Sequence, residues 1–153
     1  MDLRNVKGLL FDKDGTLFDF AATWEPWAEA FLLRVCDGER EMAARIGADI
    51  GFDLATRRFA PDSIAIAGTP QQVVDALAPH FPERRPSDLL EAINAEAARA
   101  PQREAVPLRP FLQGLRDRGL RLGVATNDAE HPARAHLLAA GAVDMFDFIA
   151  GLD

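Results

Sequence analysis

The fold is decided by the stretch Val6-Lys7-Gly8-Leu9-Leu10-Phe11-Asp12-Lys13-Asp14-Gly15-Thr16-Leu17, in which a short apolar run ends at two closely spaced carboxylates. A short apolar run bounded by a turn signal predicts a buried β-strand, here at residues 6–11. Residues two apart on an extended backbone point to the same side, so Asp12 and Asp14 are expected to face one small volume. Gly15 allows the chain to turn sharply directly after them. In open α/β sheets, ligands bind at this carboxyl end of the strands.

The two carboxylates allow more than one interpretation. An ionised carboxylate is a nucleophile toward phosphorus or carbon, and a second carboxyl group beside it can act as general acid and base. A carboxylate pair also suits Mg²⁺, a hard cation that prefers oxygen ligands. An Asp-Gly turn with no further role is the simpler alternative. A calcium-binding loop counted from Asp12 is excluded, because Leu17 and Thr23 occupy the positions of its required Gly and Glu.

A second candidate site follows a second apolar run, which predicts a strand at residues 120–125. Thr126-Asn127-Asp128 is expected to open a helix that runs to about residue 140, since Asn and Asp are favoured helix caps. The amino end of a helix binds phosphate through its free N–H groups, and Thr126 adds a hydroxyl donor. A helix cap without a ligand is the alternative.

Between the two strands the pattern is helical. Apolar spacing and cap signals predict four helices, one from about Trp24 with Pro26 in its first turn, and three at about 39–49, 70–78 and 87–99. Thr69 is expected to cap the third, and a brief extended piece is expected at 64–66. Trp24 and Trp27 lie in an apolar stripe and are interpreted as core rather than as a substrate platform.

The first of these sites resembles a known family. Residues 11–17 resemble the first motif of the haloacid dehalogenase superfamily, Asp-x-Asp-Gly-Thr after an apolar strand, and residues 120–128 resemble its second motif, a strand ending in Thr or Ser. The resemblance implies an α/β fold with a three-layer, Rossmann-like parallel sheet, here truncated, and an all-α cap inserted after the first strand. It places the catalytic core at 1–17 and 107–153 and the helical cap at 18–106, as in the branch that resembles phosphoglycolate phosphatases.

The resemblance also assigns roles to residues. Asp12 is implied as the nucleophile and Asp14 as the general acid and base, while Thr126, Asn127 and Gly15 are implied as phosphate ligands. The cofactor is expected to be Mg²⁺, bound by Asp12 and Asp14. The substrate is expected to be a small phosphorylated metabolite, hydrolysed through an aspartyl-phosphate.

The chain departs from the family pattern at its later motifs. The third motif contributes a Lys and the fourth an acidic pair, but the only lysines are Lys7 and Lys13, and Asp144 and Asp147 are poor candidates for the pair. A catalytically incomplete fragment that binds phosphate or a partner chain therefore remains an alternative. A haloacid dehalogenase is less favoured, because a second acid followed by Gly-Thr suits phosphate transfer. A phosphomutase is also less favoured, and it would transfer phosphate between sugar phosphates in place of net release.

Composition restricts the partners. The chain has 153 residues and a net charge of -7, which argues against a general nucleic-acid binder. No stretch is long and apolar enough to predict a membrane span. Cys36 is the only cysteine, so we expect no intrachain disulfide and a cytoplasmic location. The family fold leaves one edge of the strand at 6–11 exposed here. We expect a missing C-terminal segment or another copy in a homo-oligomer to cover it.

Overall fold

The computed structural model describes residues 5–153. In chain order the elements are β1 (Gly8–Phe11), α1 (Phe20–Val35), α2 (Arg40–Asp49), β2 (Phe52–Asp53), β3 (Arg58–Phe59), α3 (Ile64–Ala67), α4 (Pro70–Leu77), α5 (Pro86–Ala97), α6 (Leu108–Arg116), β4 (Arg121–Ala125), α7 (Glu130–Ala139) and β5 (Phe148–Ala150). Two single 3₁₀ turns, Ala78–His80 and Val143–Met145, follow α4 and α7. None of the helices in this part of the chain combines the length and the apolar character needed to traverse a bilayer.

One sheet of the molecule has three parallel strands in the order β1-β4-β5. Phe11 pairs with Val124, and Val124 pairs with Ile149, so the carboxyl ends of all three strands meet at one edge. Parallel strands need crossover connections, and helices supply them here. The predicted α/β class with a parallel sheet is confirmed.

One face of this sheet is well covered. Its apolar side chains form a single buried cluster with α6 and α7, whose members include Leu122, Val124, Ile149, Leu112 and Leu137. Burial of such side chains is the main stabilising contribution to the core.

The opposite face is covered incompletely by the described residues. Gly123 lies between Leu10 and Phe148, whose side chains remain 67% and 58% exposed. The outer edge of β1 has no partner strand within residues 5–153. The sheet thus shows an apolar face and an open edge side by side.

The segment between β1 and α6, called the inserted segment below, has an apolar cluster of its own. Four of its helices were expected, and α1, α2, α4 and α5 confirm them; they meet around buried side chains that include Phe31, Leu32, Ile46, Leu77 and Ile93. The structure adds a short antiparallel hairpin, β2–β3, that the sequence analysis did not predict. The boundaries proposed for the core and the cap, 1–17, 18–106 and 107–153, stay a prediction.

Two local predictions in this segment were wrong. The stretch 64–66 is the short helix α3 rather than an extended piece, because the Ser63 hydroxyl accepts a hydrogen bond from the N–H of Ala65 and caps it. Helix α1 begins at Phe20, so Pro26 lies inside it and not in its first turn. The earlier start follows from Asp19, whose carboxylate accepts a hydrogen bond from the N–H of Ala22 at 2.8 Å.

Helix α4 begins as expected at a reciprocal cap. The Thr69 hydroxyl accepts from the N–H of Gln72, and the Gln72 side chain accepts from the N–H of Thr69. Replacing Thr69 by Ala should lower the free energy of unfolding by about 1 kcal/mol, because one amide donor of the first turn loses its partner. Urea unfolding measures the effect. Thr69→Ser, which keeps the hydroxyl, should restore most of the loss, and equal effects of the two variants would contradict the assignment.

Candidate active site

The first motif places its two carboxylates at the end of β1. Asp12 is exposed, and its Oδ1 accepts a hydrogen bond from the backbone N–H of Lys13 at 2.8 Å. The Asp14 side chain is 16% exposed, and its Oδ1 accepts from Lys13 Nζ at 2.8 Å. Gly15 makes the turn with φ of 75°, a left-handed conformation that a residue without Cβ adopts readily. Its N–H donates to the Phe18 carbonyl at 2.8 Å.

The second motif follows β4, and its backbone is held between neighbouring elements. The N–H of Thr126 donates to the carbonyl of Ala150 in β5 at 3.1 Å. The Thr126 hydroxyl oxygen accepts from the N–H of Asp128 at 3.2 Å. The Asn127 amide donates to the carbonyl of Ala67 in α3 at 3.2 Å. This loop therefore links the sheet to the inserted segment.

The predicted helix start at Thr126-Asn127-Asp128 was wrong. Helix α7 begins at Glu130 with Ala129 at its cap position. The hydroxyl of Thr126 and the carboxylate of Asp128 instead accept hydrogen bonds from the next N–H groups of the loop. The N–H of Glu130 is also occupied, since it donates to Asp153 Oδ1 at 2.7 Å. The groups predicted to bind phosphate at this position thus belong to a loop and not to a helix terminus.

A cavity of about 470 Å³ opens between the sheet edge and the inserted segment. Four of the predicted site residues line it, namely Asp12, Asp14, Thr126 and Asn127. Gly15, also predicted as a phosphate ligand, is not on its wall, and its N–H is already bonded. Asp128 joins the lining, which no sequence argument had suggested. Trp24 and Trp27 pack in the apolar cluster of the insert, as expected, and both also line the cavity.

Beneath the carboxylates lies a buried polar cluster of Lys13, Asp14, Asp128 and His136. Lys13 is fully buried, and its Nζ lies 2.8 Å from Asp14 Oδ1, 3.0 Å from His136 Nδ1 and 3.4 Å from Asp128 Oδ2. The Asp128 contact is an ion pair without hydrogen-bond geometry, so Asp128 Oδ2 has no hydrogen-bond partner among residues 5–153. The cluster holds one cation against two carboxylates.

His136 extends this cluster to the inserted segment. Its Nε2 lies 2.7 Å from the carbonyl oxygen of Ala97 at the end of α5. A carbonyl only accepts, so Nε2 carries the proton and Nδ1 is left to accept from Lys13. The indole of Trp24 lies against both side chains, with its ring 6.1 Å from the imidazole and 5.3 Å from Lys13 Nζ. The imidazole is therefore held in one tautomer between two parts of the chain.

Burial shifts the pKa of two titratable neighbours of Lys13, His136 and Asp128. It lowers the pKa of His136 to about 4, and the Lys13 charge acts in the same direction. It raises the pKa of Asp128 to about 6 against the opposing attraction of Lys13. The neutral imidazole is the form that completes the contacts described above, which agrees with the lowered pKa of His136.

The pH dependence of stability tests this environment. The pKa of His136 falls from 6.5 in the unfolded chain to about 4 in the fold. The contribution of the neutral imidazole to the free energy of unfolding is therefore fully present above pH 6.5 and is lost as pH falls toward 4. The stability of the wild type relative to His136→Gln should therefore decrease by up to about 3 kcal/mol over this window. Urea unfolding at several pH values measures it.

The control for this measurement is His131→Gln, which removes an exposed imidazole from the same helix. Asp128 is present in all three proteins, so its own titration cancels to first order in the comparison. A wild-type advantage over His136→Gln that is constant between pH 4 and pH 7 would contradict the buried neutral imidazole.

Sequence reasoning missed this cluster. His136 was not predicted as a site residue, although it falls in the inward stripe of α7 with Ala133 and Leu137. Lys13 lies between the two aspartates, where an alternating side-chain pattern points it away from the cavity and toward the interior. These two signals together could have predicted a buried lysine near a buried histidine.

Asp144 and Asp147 were not accepted as a metal-binding pair, and both make structural contacts. Asp144 forms a bidentate ion pair with Arg109 at 2.8 and 2.9 Å. Asp147 accepts from Arg116 at 3.0 Å and from the N–H of Leu122 at 2.9 Å. Neither carboxylate lines the cavity, and each is paired with an arginine.

The donor set at the cavity fits Mg²⁺ in one particular mode. Within residues 5–153, no group of three or more His, Cys, Asp and Glu side chains is arranged to hold a metal ion alone. Mg²⁺ usually keeps several waters and is bound through one or two carboxylates together with phosphate oxygens. Asp12 supplies one such carboxylate on the cavity wall, and the backbone carbonyl of Asp14 would be a second oxygen ligand.

Solved structures share this fold at low sequence identity. They include an HAD phosphatase from Thermococcus onnurineus (24% identical, TM-score 0.53, 95% of this chain and 62% of that chain). A second is described as a predicted phosphoglycolate phosphatase from Haemophilus somnus 129PT (18%, 0.56, 98% and 64%). A third is CbbY from Rhodobacter sphaeroides in complex with phosphate (18%, 0.59, 95% and 63%). The chain thus spans less than two thirds of the length of these structures.

The family assignment comes from the sequence itself. None of the curated proteins compared with this chain matches it significantly. The protein-family model of the haloacid dehalogenase-like hydrolases matches residues 6–153, which includes both motifs and the whole inserted segment. With the two carboxylates and Thr126 on one cavity wall, this match shows that the chain belongs to the haloacid dehalogenase-like hydrolase family.

Proposed function

We propose that this chain carries the site of a Mg²⁺-dependent phosphatase that hydrolyses a small phosphorylated metabolite. One observation carries the proposal: two carboxylates from the end of β1 and a hydroxyl from the end of β4 line the same cavity. The two carboxylates offer a nucleophile and an acid-base group, and the Thr126 hydroxyl can bind phosphoryl oxygens.

The proposed reaction has two balanced steps. A carboxylate oxygen of Asp12 attacks phosphorus, the bond from phosphorus to the ester oxygen breaks, and the departing oxygen takes a proton from Asp14. Asp14, now ionised, then takes a proton from water as the water oxygen attacks phosphorus. The bond to Asp12 breaks and inorganic phosphate leaves. Both aspartates end in their starting states.

Thr126 is suited to orient the phosphoryl group. Its hydroxyl oxygen already accepts from the N–H of Asp128, so its own proton remains free to be donated toward the cavity. The hydroxyl is also on a fixed backbone, because the Thr126 N–H is bonded to β5. A positioned donor of this kind stabilises the charge that develops on phosphoryl oxygens.

Electrostatics supports the need for a cation. Three carboxylates, those of Asp12, Asp14 and Asp128, line the cavity, and no basic side chain of residues 5–153 joins them. Lys13 is fully buried and does not reach the cavity. The Asp12 carboxylate and the backbone carbonyl of Asp14 would hold Mg²⁺, which when bound neutralises charge between the Asp12 carboxylate and the phosphate. Lys13 offsets part of the charge of Asp14 and Asp128, whereas the Asp12 carboxylate would otherwise repel a bound phosphate.

Phosphate release from a generic aryl phosphate tests the proposal. The full chain should release phosphate with Mg²⁺ and should stop when the metal is chelated by EDTA. Restoring Mg²⁺ in excess should restore the rate. Release that is unaffected by chelation would contradict the proposed role of the cation.

A second candidate is a catalytically incomplete fragment that binds phosphate or a partner chain. It is favoured by the buried position of Lys13, since no lysine of the described residues reaches the cavity to take the place of the third-motif Lys. A folded chain that binds inorganic phosphate in the presence of Mg²⁺, but releases none from an ester, would support it. Carbon–halogen hydrolysis and phosphoryl transfer between sugar phosphates remain less favoured, and product analysis distinguishes them.

The open face of the sheet supports the proposal that another segment or a second copy covers it. Leu10 and Phe148 expose apolar surface beside the open edge of β1, and such an edge favours pairing with another chain. Light scattering after size-exclusion chromatography measures the oligomeric state of this chain. A monomer at high concentration would contradict a homo-oligomer.

A cytoplasmic location is also proposed, supported by the free, buried thiol of Cys36.

A further inference from the structure

The cavity has two chemically different walls. The wall from the sheet carries the carboxylates and Thr126, while the wall from the inserted segment is aromatic and aliphatic. The larger apolar side chains on that second wall are Phe20, Trp24, Trp27, Ile66, Val73 and Ile93. If the phosphate of a substrate lies at the polar wall, its organic part lies against the apolar wall.

The aromatic residues of this wall are held in place by one another. The rings of Trp24 and Trp27 meet edge to face at 5.3 Å, and Phe20 lies 6.5 Å from Trp24. Trp27 is 3% exposed and stacks on Phe31 in the cluster of the insert. A rigid apolar surface of this kind favours an apolar ligand, because burial of the ligand then costs little rearrangement.

The charges around the cavity also favour a ligand whose organic part is neutral. No lysine, arginine or histidine of the described residues lines the cavity, whereas three carboxylates do. A second negative charge on the organic part of a substrate would lie against apolar side chains without a partner, which is costly. One bound divalent cation would already be committed to the phosphate. The volume of about 470 Å³ is within the range of small-molecule sites.

We propose that the organic part of the substrate is neutral and largely apolar, so that the chain takes the phosphate ester of an apolar alcohol rather than a phosphorylated acid. This inference rests on the proposed phosphatase function, and it makes the wall of the inserted segment the specificity-determining surface. Ile66 is the most suitable residue on this wall for a test substitution. Its side chain lines the cavity and is 43% exposed, so the fold should tolerate a change there.

Binding of two non-hydrolysable phosphonates tests the proposal without turnover. Benzylphosphonate carries an apolar group and phosphonoacetate carries a carboxylate. In the presence of Mg²⁺ the chain should bind benzylphosphonate at least about tenfold more tightly than phosphonoacetate. Tryptophan fluorescence and calorimetry measure the two affinities. Equal affinities, tighter binding of phosphonoacetate, or binding of neither compound at millimolar concentration would overturn the proposal.

A charge placed on the wall sharpens the test. Ile66→Arg should shift the affinity ratio toward phosphonoacetate by at least about tenfold, since the new cation faces the carboxylate. Ile64→Arg is the matched control, because Ile64 is on the same short helix, is 36% exposed and does not line the cavity. An equal shift from both variants would overturn the proposal, because it would show only a general effect of positive charge.

Phosphate release is measured separately so that the two proposals fail independently. A preference for benzylphosphonate with no release of phosphate from benzyl phosphate would support the ligand class and reject the phosphatase. Release from 2-phosphoglycolate at a higher kcat/KM than from benzyl phosphate would support the phosphatase and reject the ligand class.

Discussion

Replacing Asp12 by Asn is expected to reduce phosphate release by at least about 10³-fold, because an amide oxygen is a poor nucleophile and cannot be replaced by a neighbour. The exposed position of Asp12 means that the variant should fold normally. Within residues 5–153 its side chain makes one hydrogen bond, with the adjacent N–H of Lys13, and an Asn oxygen can accept it. Loss of rate with unchanged thermal stability would therefore be a chemical effect.

The control for Asp12→Asn removes the same charge elsewhere. Asp62 is exposed on a loop of the inserted segment, and Asp62→Asn should leave the rate within a factor of about 2, because surface charges are strongly screened by salt. A rate for Asp12→Asn close to that of Asp62→Asn would exclude Asp12 as the nucleophile.

Replacing Lys13 by Met is expected to give the largest loss of stability, about 3–5 kcal/mol. Removing one member of a buried ion pair leaves the other charge without a partner, and here two carboxylates, those of Asp14 and Asp128, lose their shared cation. His136 also loses the donor to its Nδ1. The free energy of unfolding from urea titration measures the effect.

Two further variants separate the charge effect from a packing effect. Lys7→Met replaces the other lysine, which is exposed, and should change stability by less than about 0.5 kcal/mol. Adding Asp128→Asn to Lys13→Met should recover part of the loss, since one unpaired carboxylate is removed with the cation. Losses that simply add in the double variant would contradict a shared charge cluster.

The sheet and the first site could be predicted because their signals are local. An apolar run followed by Asp12-Lys13-Asp14-Gly15 encodes a strand, its end and a turn within a few residues. The cap of α4 at Thr69 is local as well. The structure places both aspartates on the cavity wall, as the side-chain alternation of an extended backbone requires.

The parts that escaped prediction depend on partners distant in the chain. Lys13 and His136 are 123 residues apart, and their contact exists only because α7 packs beside the end of β1. The start of α7 was misplaced because Asn and Asp are good caps in isolation, whereas here Asn127 is held by Ala67 of the insert. Long-range contacts of this kind override local propensity. The apolar character of the cavity wall likewise emerges only when the helices of the insert meet.

Mass spectrometry of the chain during turnover tests the central claim most directly. The chain is mixed with an aryl phosphate and Mg²⁺, quenched in acid, where an acyl phosphate survives, and digested. The account predicts a phosphoryl group on the peptide that contains Asp12, and its absence in Asp12→Asn. Phosphate release by the wild type through a phosphorylated residue other than Asp12, or release that persists in Asp12→Asn, would contradict it.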